Sequence, residues 1–189
     1  MIQNLKRFSD YLRDAASLKM ILLAFIAQVI FAVFIIPYSS SLIDPLKTQT
    51  LFELRFGYNS TQTYGILEAI GLKGRNALLV YCLLIDLLYA IVYSISFSML
   101  LSLFFRNSFS KNHYFQWFNA FPFLIGIADI FENLSLAFIT INYPEKIDFA
   151  VKLASSFSLM KWGFMLYNLL LLLTGLFAWV LKIMVSRKR

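Results

Sequence analysis

Apolar residues fall into four long runs, at about 20–37, 77–105, 115–141 and 160–185, with the polar residues concentrated between them. At 1.5 Å per helical residue each run is long enough to cross roughly 30 Å of hydrocarbon. The pattern predicts an all-α four-transmembrane-helix bundle, antiparallel and up-down, with residues 1–189 forming a single integral membrane domain. Ahead of the first run, Ile2, Leu5, Phe8 and Leu12 recur at helical spacing while Lys6, Arg7, Asp10 and Arg13 take the other face. That is the signature of an amphipathic helix lying on the membrane surface. In the stretch from 38 to 76, Asn59 is placed to cap a short helix, with Gln62 at its third position and Gly71 to end it. Tyr64, Leu67 and Ile70 would then turn toward the bilayer or the bundle, making the short helix a lid. Asn59-Ser60-Thr61 also matches a glycosylation sequon, but the cap is the commoner use of such a residue.

Composition agrees with the runs. The chain is 60% hydrophobic and 14% charged, where a soluble domain carries about 25% charge. A net charge of +7 raises the question of nucleic acid, yet no basic and aromatic surface remains once the spans are removed. The basic residues collect instead at the ends of the apolar runs, where anionic headgroups and the positive-inside bias place them. Lys6, Arg7, Arg13, Lys19, Arg106, Lys111, Lys182, Arg187, Lys188 and Arg189 fall on one side. Lys47, Arg55, Lys73, Arg75, Lys146, Lys152 and Lys161 fall on the other. Ten against seven puts both termini in the cytoplasm, in a bacterial inner membrane, with the stretch from 38 to 76 outside. The first run has the layout of a signal peptide, but its apolar core exceeds the usual signal length and it is expected to stay as a span. Cys82 alone allows no internal disulfide and no Cys-x-x-Cys couple, and His113 alone makes histidine-held haem or zinc untenable. No cofactor and no dedicated metal centre are expected.

The candidate chemistry sits inside the apolar runs. Gln28, Asp86 and Asn168 lie roughly 12 to 14 Å from the outer ends of their helices, Glu132 and Asn133 at about 14 to 15 Å, and Asp129 about a turn deeper. Lipid satisfies none of them, so they should point inward and meet in one layer. Gly126, Asp129, Glu132, Asn133 and Ala137 share a stripe on the third run. Cys82, Asp86, Ala90, Ser94, Ser98 and Ser102 make a four-residue ridge on the second, and Ala24, Gln28 and Ala32 repeat it on the first. Small residues at that spacing let helix backbones approach closely in lipid. Tyr89 and Tyr93 are candidate hydrogen-bond donors to the carboxylates. Arg75 and Lys161 are candidate rim cations that reach the outer mouth on long stems. Trp162 and Trp179 read as interfacial anchors, and Pro122 as a kink or a start of the third helix.

Phe56-Gly57-Tyr58, Gly74-Arg75, Asp86 with Tyr93, Asp129-x-x-Glu132-Asn133 and Lys161 together resemble the pattern of a family of small bacterial four-helix membrane proteins. The resemblance covers about residues 52–161. It implies no activity, only that the acidic layer and the Gly-Arg turn belong to one unit.

Three functions fit these residues. The first is binding or translocation of a proton, a cation, or a cationic or lipid ligand in an acidic cavity open to the outside. Four helices without an inverted repeat are too few for alternating access unless they assemble. The second is an intramembrane enzyme acting on a lipid or isoprenoid, with the acids as acid and base or as holders of a divalent metal and Arg75 and Lys161 on a phosphate. The third is a structural subunit of a homo-oligomer or larger membrane complex, its polar layer serving only as helix glue. Membrane lipid is the expected surrounding partner in every case.

Overall fold

The computed structural model describes residues 2–45, 52, 55–111 and 113–186. Lys47 and the basic residues 187–189, which enter the charge count, lie outside them. Among the described residues the chain is helical throughout, without strands. Its elements are α1 (Ile2–Ala15), α2 (Leu18–Ile43), α3 (Ser60–Ala69), α4 (Gly71–Ser108), α5 (Tyr114–Ile141) and α6 (Asp148–Ser186). Four of them, α2, α4, α5 and α6, are long and apolar enough to cross a membrane, so the chain is an integral membrane protein. With 38 and 39 residues, α4 and α6 are about 57 Å long and reach well past the hydrocarbon layer.

Local chemistry sets the helix ends. Asn59 Oδ1 accepts from Gln62 N (2.9 Å) and Gln62 Oε1 from Asn59 N (3.0 Å), a complete capping box. Gly71, at φ +63°, separates α3 from α4 in the left-handed conformation that a side chain disfavours. Phe121 and Pro122 convert a 3₁₀ stretch, Tyr114–Ala120, into the α-helical part of α5, so the proline starts a helix rather than kinking one. Tyr64, Ile66 and Leu67 of α3 are buried against the bundle, and the Tyr64 hydroxyl accepts from Ile147 N (2.6 Å).

α4, α5 and α6 pack on one another, whereas α2 lies along α4 and leaves α5 and α6 no more than marginal contact. The small-residue ridge explains the tight α4–α5 seam. Cys82, Asp86, Ala90, Ser94, Ser98 and Ser102 are all buried, and a Cβ on Gly126 would collide with Ser94 Oγ. The matching stripe on α2 is broken. Ala32 is exposed, and from Phe31 to Ile35 the helix forms a π turn in which the Ile36 N–H donates to Phe31 O. Phe31 turns inward in its place and stacks on Tyr89.

α1 also differs from its predicted facing. Arg13 turns inward and is buried, held by Asp10 (2.7 Å), beside buried Ser9 and Leu12; Leu5 and Phe8 keep an exposed apolar edge. The helix is fastened to the start of α5 by Ser9 Oγ donating to Gln116 O (2.9 Å) and Asn119 Nδ2 donating to Ser9 O (2.9 Å). It is docked on the bundle as well as amphipathic.

Candidate functional site

A π turn at Tyr81–Ile85 ends where the Asp86 N–H donates to Tyr81 O, and Asp86 stands in the seam with α5. There Asn133 Nδ2 donates to Asp86 Oδ2 (2.8 Å) and to the Asp129 carbonyl one turn back (3.0 Å). Asp129 receives the Tyr93 hydroxyl on Oδ2 (2.9 Å) and the Lys161 ammonium on Oδ1 (3.0 Å). Lys161 Nζ also lies 2.6 Å from Glu132 Oε2. All six of these side chains are buried. The three- and four-residue spacing of 129, 132 and 133 on one helix face makes this convergence possible.

Asp129 and Glu132 thus share the Lys161 ammonium, and Asp86 joins the same network through Asn133. In an apolar span such groups are stable only when hydrogen-bonded or neutralised, and here every carboxyl has at least one donor.

Tyr58 supplies a donor from outside the spans. Its hydroxyl reaches Glu132 Oε1 (3.2 Å), and its N–H donates to Ser155 Oγ (2.9 Å). Gly57 makes the approach possible. It sits at φ +143°, and a Cβ there would stand 3.2 Å from Ser155 Oγ. Burial, and after it the Glu132 carboxylate, push the Tyr58 hydroxyl far above its ordinary value, so it stays a donor. Sequence reasoning quoted the Phe56-Gly57-Tyr58 run without giving the tyrosine a role, since a loop residue carries no periodicity to aim it. Tyr58→Phe keeps the ring but strips Glu132 of a donor. It is expected to lower stability by about 1.5–3 kcal/mol, measured by thermal unfolding in detergent.

Beside the network lies a cleft of about 230 Å³, walled by Gln28 of α2, Asp86 and Tyr93 of α4, Asp129 of α5, and Lys161 and Trp162 of α6. Gln28 Oε1 and Trp162 Nε1 are buried there without hydrogen-bond partners. Tyr89 also borders the cleft, but it stacks on Phe31 and meets Tyr93 edge-on at 5.2 Å, and its hydroxyl has no carboxylate partner. The expected mouth at the α3 end is covered. Phe56 lies on Trp162 (4.9 Å between ring centroids), Ser158 Oγ donates to Arg55 O (2.8 Å), and Tyr58 closes over Glu132.

Two predicted members are elsewhere. Arg75 donates to Leu67 O (2.8 Å) and stands 4.2 Å over the Tyr143 ring, clamping α3 and the α5–α6 turn. It and the Gly74 turn therefore serve the end of the bundle and not the acid layer. Asn168, 1% exposed, lines the adjoining apolar groove and not the cleft, with its Oδ1 unpartnered. Trp162, read from the sequence as an interfacial anchor, is a wall shared by cleft and groove. Its place near a helix end suggested the interface; the loop folded over it changes its surroundings.

Fold and site together define an all-helical integral membrane protein with a carboxylate-rich interior. Comparison with protein-family models, with curated protein sequences and with solved structures finds no match.

Proposed function

We propose that this protein binds a small cationic group, an ammonium in the first instance, in the cleft beside Asp86 and Asp129. The observation that carries the reading is that, among the described residues, two carboxylates are held by one ammonium beside a space large enough for a ligand head. The lining oxygens suit that ligand. An ammonium has three N–H donors, and Asp86, Asp129 and the unpartnered Gln28 Oε1 present oxygens to the same space. The reading places the four spans up-down in a bacterial inner membrane with both termini in the cytoplasm. It puts α3 on the outer side and α1 against the inner surface, supported by the excess of Lys and Arg toward the termini.

The test uses butylamine and the full chain in detergent. Wild-type protein is expected to melt at higher temperature as butylamine is added, with about 2.7 kcal/mol of stabilisation at a hundred times Kd. Asp86→Asn can still accept from Asn133 and leaves the Lys161 pairs in place, so it is expected to fold yet lose this protection. No shift in wild-type protein, or an undiminished shift in Asp86→Asn, rejects the reading.

A further inference from the structure

We infer that the ligand is a single-chain amphiphile that enters sideways from the bilayer, its cationic head in the acidic cleft and its hydrocarbon chain in the groove on α6. The inference rests on the cleft reading above and adds the chemistry of the rest of the ligand and its route.

Three observations converge. The groove is about 680 Å³ and is floored by Leu159, Trp162, Gly163, Leu166 and Leu169, which recur at three- and four-residue spacing along one face of α6. It lies within a segment apolar enough to cross the membrane. Second, cleft and groove are continuous, since Phe97, Trp162 and Met165 line both. A molecule with its head against Asp129 would have its tail pass directly over Trp162. Third, α2 packs along α4 and has at most marginal contact with α6, so helix packing does not seal the cleft wall between them. The opposite route, from the α3 end, is closed by the 55–58 segment. An acidic head site that adjoins a lipid-depth apolar groove, and is open between helices, matches a membrane amine and not a free aqueous cation.

Gly163 offers a plug. A Cβ there meets nothing within 4 Å, so Gly163→Phe starts its side chain in open space and projects it into the groove. The experiment leaves Trp162 as the only tryptophan through Trp117→Phe and Trp179→Phe, with the full chain in phosphatidylcholine nanodiscs. Trp162 fluorescence is then quenched with dodecylamine brominated at mid-chain, and compared with dodecanol brominated at the same carbons. The amine is expected to reach half-maximal quenching at about a tenfold lower mole fraction than the alcohol, the worth of one charge-assisted hydrogen bond. Gly163→Phe is expected to abolish that difference, with its folding checked by its melting curve. Equal quenching by amine and alcohol in the Trp162-only protein overturns the inference, as does a difference that survives Gly163→Phe. Butylamine protection alongside either result retains the cleft and rejects only the groove; absence of butylamine protection rejects the cleft and the inference with it.

Discussion

Lys161→Met is expected to destabilise the protein by about 3–5 kcal/mol, the range for stripping one partner from a buried ion pair. Lys161 faces Asp129 at 3.0 Å and Glu132 at 2.6 Å, and all three side chains are buried. Methionine matches the lysine stem in length and flexibility, so packing is largely kept and the loss is electrostatic. The control is the double variant Lys161→Met with Glu132→Gln. Removing one of the two orphaned carboxylates should restore part of the loss, because the amide can still accept from Tyr58 and carries no charge. Thermal unfolding in detergent reads both. A single variant as stable as wild type would mean that the acids do not depend on the lysine, and a double variant less stable than the single one would assign the damage to packing.

Gly74→Ala is the second large effect, at the upper end of the roughly 1–3 kcal/mol typical of overpacking. A Cβ at this position would run into the carbonyl oxygen of Ile43 and lie 2.6 Å from Ile70 Cβ. The first obstacle is backbone at the end of α2, which cannot rotate aside. Alanine is otherwise the better helix former by about 1 kcal/mol, so the sign of the change is decided by space alone. Gly65→Ala makes the opposite case. Nothing lies within 4 Å of its Cβ, and it is expected to raise stability by about 0.8–1 kcal/mol. If Gly74→Ala also stabilises, the close passage of α2 over the start of α4 is not a fixed contact.

What the sequence disclosed follows from what hydrocarbon forbids. The four spans, the inward stripe of Asp129, Glu132 and Asn133, and the buried ridge from Cys82 to Ser102 all come from one rule, that polar groups turn away from lipid. The capping box at Asn59 was legible because its chemistry is local. Three things were not. Helical spacing gives relative facing but not which stripe a neighbour covers, so it did not foresee that Ala32 is exposed while Phe31 stacks on Tyr89. Depth along a helix fixes height but not azimuth, which is why Asn168 shares the expected level yet faces the groove. And a loop has no periodicity, so neither Tyr58 over Glu132 nor Phe56 over Trp162 could be aimed from the sequence.

The π turns at Phe31–Ile35 and Tyr81–Ile85 mark two places where chain length can change by one residue. Each holds one residue more than an ordinary helix needs, and one residue corresponds to about 100° of rotation. Deleting a single residue inside either turn would therefore close it to an ordinary helical turn and leave both flanking segments facing as they do now, whereas a deletion elsewhere in the same helix would swing one side by more than a quarter turn. In α4 an omission within 81–85 would thus keep Asp86 on the α5 seam, while an omission between Asp86 and Ser102 would carry part of the ridge away from it and leave the remaining side chains chemically intact.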